Sequence, residues 1–247
     1  MKTDILQRGD MRTFLRAMIL FACILLGQNV FASAIAVEPL EVDLNPVNRY
    51  QDIQVHNIGS DTAYVQVSVA RIDQPGLPTQ TLVQLNDNPY QVGLIVTPSK
   101  VVIPVGQTRI VRVLYVGEPP TSDIVYHLKI APVSGQLIAL YSGTNKLNAG
   151  VQLIVAYGVS VYARPLKLNP QVVAQRDGKD LTLSNTGNTS VLITLCKQCS
   201  GTTCQAVPDL LQRLFPGNIV HLNLPKDAPI QCQEEVLHNQ FIPFNVQ

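Results

Sequence analysis

Apolar and polar positions alternate with a period of two along most of this chain. "IQVHN" sets Ile53 and Val55 on one side, "YVQVSV" aligns Val65, Val67 and Val69, and Leu181 and Leu183 share a face in "LTL". Alternation of this kind, rich in β-branched residues, predicts strands with one face on an apolar surface. Turn residues punctuate the runs: "NIGSD", "DQPGLP", Pro98, Pro104, Gly106, and "RDGKD" as a hairpin-type turn. Beyond the N-terminal segment no stretch of ten or more residues carries a convincing helical period. Short strands at this spacing predict an all-β sandwich architecture.

One run stands apart. From Val151 to Pro165, "VQLIVAYGVSVYARP" is apolar at every odd position through Val161: Val151, Leu153, Val155, Tyr157, Val159 and Val161. At about 3.3 Å per residue it would reach roughly 45 Å, longer than one small core uses. Its even positions carry no charge, although charge is the usual protection of an exposed edge. The strand is therefore either central in its sheet or meant to pair with another chain.

The first 34 residues read as an export signal. Arg12 and Arg16 precede the apolar "AMILFACILLG", and "NVFASA" offers cleavage after Ala32 or Ala34. A single-pass anchor is the alternative, but the apolar run is short for a bilayer and no later segment is long enough. Removal of this leader leaves roughly 215 residues, enough for one large or two ordinary domains. With a net charge of +1 and 14% charged residues, the chain lacks the basic face that a nucleic-acid partner requires. Tryptophan is absent, and no base-stacking platform stands out.

Cys23 falls in the leader, leaving Cys196, Cys199, Cys204 and Cys232. An even number in an exported chain predicts disulfides, with three pairings open. Cys-x-x-Cys in "CKQCSGTTC" is also half of a common zinc site, but the second half lacks paired ligand spacing. The bracket of Pro165 and Pro170 interrupts the strand pattern, so we expect a boundary between Arg164 and Pro170. The expected organisation is residues 1–34 as signal peptide, 35–164 as a first domain and 165–247 as a second. About eighty residues make a small core, which disulfides would help to hold.

Four ordered motifs resemble the periplasmic chaperones of the chaperone–usher pilus pathway. They are "GLIVTPSKVVIPVGQTRIVRVLYVG", "YHLKIAPV", "GVQLIVAYGVSVYARP" and "LTLSNTGNTSVLITL". "VVIPVGQ" and "LITLCKQC" are closer to the alternate branch, which serves colonisation-factor-type fimbriae. The resemblance implies two immunoglobulin-like sandwiches at an angle, a cleft near their linker, a periplasmic location and no cofactor. It also implies that the last strand of the first domain is lent to a pilus subunit lacking a strand, a donor-strand mode of recognition. Val151, Leu153 and Val155 match the donor positions, with Tyr157 extending the row. Release would follow when another subunit's extension replaces the lent strand, after delivery to an outer-membrane usher. An uncharged donor edge also leaves self-association of the free protein open. Burying three or four such side chains is worth on the order of 5 to 12 kcal/mol, against an association cost of about 4 to 15 kcal/mol. Main-chain bonds and other strands must therefore contribute.

The chain departs from the better-known branch where that branch places two basic residues to hold the subunit's terminal carboxylate. Those positions fall near Glu41 and on Ser160, neither of them basic. The nearby cations are Arg164, Lys167, Lys129 and Arg112. Arg164 is a candidate cleft anchor or, as the resemblance suggests more strongly, an interdomain bridge. The acid expected to pair with it is replaced by Pro104. Arg112 is expected to stabilise the sandwich edge.

Catalysis finds no constellation. His56, His127, His221 and His238 are scattered, no metal-ligand spacing links them, and no nucleophile or phosphate-loop motif occurs. The expected partners are pilus subunits and an usher. The rivals are a structural or adhesive surface protein built of two sandwiches, and an exported metalloenzyme using the cysteines.

Overall fold

The computed structural model describes residues 35–84, 93–133, 155–200, 203–207, 210–237 and 240–246. The expected signal peptide lies outside them. The described residues contain strands and turns but no helix, so none is long and apolar enough to cross a membrane.

The first sandwich begins with β1 (Ile35–Glu38), β2 (Glu41–Leu44), β3 (Tyr50–Asn57), β4 (Ala63–Asp73) and β5 (Thr81–Gln84). It continues with β6 (Leu94–Thr97), β7 (Lys100–Ile103), β8 (Thr108–Tyr115), β9 (Ile124–Pro132) and β10 (Tyr157–Ala163). One sheet has the order β1-β3-β8-β6, and the other runs β2-β10-β9-β4-β5 with β7 also on β4. Alternation explains the packing. Ala63, Val65 and Val67 of β4 point inward while Tyr64, Gln66 and Ser68 face out. They meet Ile53, Val55, Val111, Val113, Leu128, Ile130, Val159 and Val161 in one buried cluster.

The second sandwich comprises β11 (Val172–Asp177), β12 (Asp180–Asn185), β13 (Val191–Ser200), β14 (Thr203–Ala206), β15 (Gln212–Leu214), β16 (Ile219–Asn223), β17 (Ile230–Glu235) and β18 (Phe241–Val246). Its sheets are β11-β12-β16 and β14-β13-β17-β18, with β15 also on β13. A separate cluster including Leu181, Leu183, Ile193, Leu214 and Ile230 forms its core. Two immunoglobulin-like sandwiches with distinct cores thus match the expected all-β class.

Both sandwiches use the same buried asparagine. Asn57 Nδ2 donates to the Asp61 and Ile103 carbonyls, while its Oδ1 accepts from Gly59 N. Asn185 repeats this with the Thr189 and Leu214 carbonyls and Gly187 N. Each side chain satisfies backbone groups that a turn would otherwise bury unpaired. Gly187 is required there, because a Cβ would fall 1.9 Å from the Asn169 carbonyl oxygen.

Along β13, strict alternation from Val191 and Ile193 would send Leu195 inward. A bulge between Thr194 and Lys197 shifts the register, Leu195 adopts φ 51°, and its side chain is 67% exposed. Cys196 then turns into the core and bonds Cys232 across to β17. The second disulfide, Cys199–Cys204, closes the β13–β14 hairpin at directly opposed positions. Of the three pairings open to sequence, tertiary structure selects this one.

Candidate functional site

β10 lies between β2, to which it is parallel, and β9, to which it is antiparallel. The described strand starts at Tyr157, so its seven residues are central in the sheet. Upstream, Val155 and Ala156 are exposed and outside any strand. Val151 and Leu153 of the expected donor row lie outside the described residues. Val155 is 38% exposed, whereas Tyr157 packs on the inner face against the first core. One row thus passes from an exposed valine into its own domain's interior within two residues.

At the other end, Arg164 N still donates to the Leu44 carbonyl at 2.7 Å, and Pro165 then ends the ladder. The Arg164 side chain is buried. Its Nε lies 2.6 Å from Asp43 Oδ1, and Nη1 donates to Asp123 Oδ2 and, at 2.9 Å, to Ser190 Oγ. Nη2 reaches the Val236 carbonyl at 3.2 Å. Asp43 and Asp123 belong to the first sandwich, Ser190 and Val236 to the second, so one guanidinium touches both. Its planar fork suits several fixed acceptors at once. The acid that Pro104 does not supply is therefore provided by Asp43 and Asp123, which no local motif announces. Burial pushes the Asp123 carboxyl above the usual range, against the lowering effect of Arg164 and Ser190. Its Oδ1 is buried without a hydrogen-bond partner.

Further contacts tie the sandwiches. Asp123 N donates to the Asn188 carbonyl at 3.0 Å, and Asn188 Nδ2 donates to the Thr121 carbonyl at 3.2 Å. Asn218 Nδ2 donates to the Pro75 carbonyl at 3.1 Å. A Cβ on Gly76, whose φ is +75°, would meet that same Asn218 nitrogen at 2.5 Å.

Sequence reasoning missed Arg213. This residue of β15 lies in the second sandwich, yet its Nη2 is 3.0 Å from Glu41 Oε2 in the first. Its guanidinium also stacks 4.8 Å from the Tyr162 ring centroid, while Arg164 covers the same ring at 4.6 Å. Tyr162 is held by two cation–π contacts. Burial raises its phenol above the usual range. No signal in "DLLQRLF" separates Arg213 from an ordinary surface arginine, because its partners lie more than fifty residues away in sequence.

Glu41 and Ser160, which replace the two basic positions, are direct register partners. His127 is opposite Ser160 on β9 and shares its face. Its ring lies over Gly158, where a Cβ would meet Cε1 at 2.6 Å. Lys129 is exposed opposite Gly158, and Lys167 is exposed after β10. Arg112 sits in the other sheet, with Nε and Nη2 bonded to Asp52 at 2.7 and 2.8 Å. That hydrogen-bonded pairing lowers the Asp52 carboxyl below its ordinary range. His56 contacts Thr108 and His221 contacts Thr182; His238 lies outside the described residues. No grouping of three metal-ligating side chains occurs among the described residues.

No protein-family model matches the chain. Among curated proteins, it is 25% identical over 170 residues to a CS1 fimbrial subunit of Escherichia coli, covering 68% of this chain and 69% of that protein. It is 23% identical over 155 residues to a CFA/I fimbrial subunit of Escherichia coli, covering 62% and 63% respectively, so it spans under two thirds of that relative. Among solved structures, the class 5 fimbriae chaperone CfaA superposes with a TM-score of 0.61 at 17% identity, over 85% of this chain and 98% of that one. The E. coli chaperone DraB gives 0.61 at 18% identity, over 87% and 98%. A Salmonella enterica SafA pilin in complex with the SafB chaperone gives 0.61 at 15% identity, over 89% and 98%. The chain therefore has the two-sandwich fold shared by these fimbrial chaperones.

Proposed function

We propose that the chain is a periplasmic chaperone of the alternate chaperone–usher branch, which binds pilus subunits by lending them a strand and delivers them to an outer-membrane usher. The observation that carries this reading is the division of one alternating row. From Tyr157 onward β10 is central in its own sheet, while Val155 stands exposed just upstream, on the side where Val151 and Leu153 extend the apolar pattern. Fold similarity to chaperones, one of them in complex with a pilin, supports it.

In this reading Val151, Leu153 and Val155 fill a groove in the pilus subunit, and Tyr157 marks the passage to the chaperone's own core. Arg164 bridges the sandwiches and is too fully engaged to anchor a pilus subunit. Arg213 pairs with Glu41, the register partner of Ser160, and in this reading takes over the place of a cleft cation. Domain limits of 35–164 and 165–247, with 1–34 removed on export, accompany the proposal. Stabilisation comes from contacts, with no catalytic step or cofactor.

The test is co-purification of the tagged protein from a periplasmic extract with its neighbouring exported proteins expressed alongside. A small β-rich subunit should be recovered one-to-one and lost in a folded Leu153→Arg variant. Undiminished capture by that variant would overturn the donor assignment. A second reading, a structural component of a fimbria, draws on the names of the two curated relatives. Recovery of the protein in surface filaments would favour it.

A further inference from the structure

The junction between the sandwiches holds an unbalanced set of charges. Arg164 touches two carboxylates, Asp43 at 2.6 Å and Asp123 on the other side of its fork. One guanidinium neutralises one carboxylate, so with both acids ionised the cluster carries an excess negative charge. The Arg164 and Asp123 side chains are closed to solvent, whereas Asp43 remains 20% exposed. Water can hydrate Asp43, and the excess therefore weighs on Asp123. Asp123 is also a direct link to the second sandwich: its Oδ2 accepts from Ser190 N at 2.7 Å, and its backbone N donates to the Asn188 carbonyl at 3.0 Å. Its Oδ1 is buried without a partner. A proton on Oδ1 would remove the excess charge and leave Oδ2 free to accept from Ser190 and Arg164.

The other charged groups around the cluster do not correct the imbalance. On β4, Arg71 and Asp73 line a cavity together with Asp123 but are paired with each other at 2.8 Å. On β15, Arg213 is paired with Glu41 of β2 at 3.0 Å, and the uncharged ring of Tyr162 lies between Arg213 and Arg164. β17 leads to the Val236 carbonyl that meets Arg164, and its Glu234 and Glu235 add negative charge rather than remove it. Burial pushes the Asp123 carboxyl up, against the lowering effect of Arg164 and Ser190, which agrees with the geometry.

We propose that the Asp43–Arg164–Asp123 cluster is a proton-operated latch between the sandwiches, which tightens when Asp123 takes up a proton and loosens when it loses it. In an open junction Asp123 meets water and binds its proton as an ordinary carboxylate does. The closed junction holds that proton more tightly. Its contribution is therefore complete below the open-state value and is lost as pH rises through the closed-state one. Acid thus strengthens this contact over a window above the ordinary carboxylate range, the reverse of a simple salt bridge, whose carboxylate is lost on acidification. The latch concerns the relation of the two sandwiches and does not depend on what the protein binds.

Carboxyl-carbon NMR titration of the isotope-labelled full chain, combined with amide hydrogen exchange at Ser190, tests this. We expect the Asp123 carboxyl to titrate above the ordinary carboxylate range. Asp123→Asn keeps an acceptor oxygen for Ser190 and stands in for the neutral carboxyl. Ser190 should exchange several-fold faster in wild type than in Asp123→Asn above the Asp123 midpoint, and at the same rate below it. Asp43→Asn restores the balance by removing the other acid, so it should shift the Asp123 titration down. An Asp123 carboxyl that titrates within or below the ordinary range overturns the proposal. So does a Ser190 exchange ratio that stays constant with pH, or an Asp123 titration that Asp43→Asn leaves unmoved. Should Asp123→Asn fail to fold, the wild-type and Asp43→Asn titrations still decide. Pilus-subunit capture is read separately through Leu153, so the two proposals fail independently.

Discussion

Arg164 and Asp43 meet at 2.6 Å although 121 residues separate them, and the same guanidinium reaches Ser190 in the second sandwich. A buried charge is tolerated only when its donors are satisfied, and here Nε, Nη1 and Nη2 all find acceptors. The arrangement places two carboxylates on one cation and leaves Asp123 Oδ1 unbonded. We expect Arg164→Met to lower stability by about 3 to 5 kcal/mol, because it strands a buried carboxylate. Denaturant unfolding measures this. A variant as stable as wild type would show that the knot contributes nothing.

The two disulfides should respond differently to reductant. Cys196 and Cys232 are 4% and 6% exposed inside the second core, whereas Cys204 is exposed at the hairpin margin. Thiol exchange requires access to a sulfur. Mild dithiol reduction under native conditions, followed by alkylation and peptide mapping, should label Cys199 and Cys204 first. The variant Cys199→Ser with Cys204→Ser should lose little stability, since it opens a small loop, while removal of Cys196–Cys232 should cost about 2 to 5 kcal/mol. Equal labelling of all four cysteines would count against this ranking.

Stability should also depend on Glu234. Its register partner is the buried Ile193, so its carboxyl shares the inner face of β17, and burial raises it above the usual range. A raised carboxylate binds protons more readily when folded than when unfolded. Its contribution is therefore complete below the unfolded value and is lost as pH rises through the folded one. Glu234→Gln should stabilise the protein at neutral pH and lose that advantage in acid. Unfolding of both proteins at several pH values checks the sign, and a gain that grows toward acid would refute it.

The all-β class was legible because strand periodicity is local. Val65 and Val67, Leu181 and Leu183, and Val159 and Val161 all face inward as alternation requires. The end of β10 just before Pro165 was legible too, since proline ends a central ladder wherever it falls. Leu195 defeated the same rule. The bulge that exposes it depends on Cys196 reaching β17, a partner 36 residues away.

Candidate site residues divide in the same way. Sequence by itself determined the alternating row from Val151 to Val161, the even number of cysteines beyond the expected leader and the absence of basic residues at Glu41 and Ser160, because each is a property of residue type and spacing. Only tertiary structure decided that Arg164 finds Asp43 and Asp123, that Arg213 reaches Glu41 and covers Tyr162, and which cysteines join. Those contacts form when strands distant in sequence are brought side by side, and side-chain chemistry alone leaves many such partners equally acceptable.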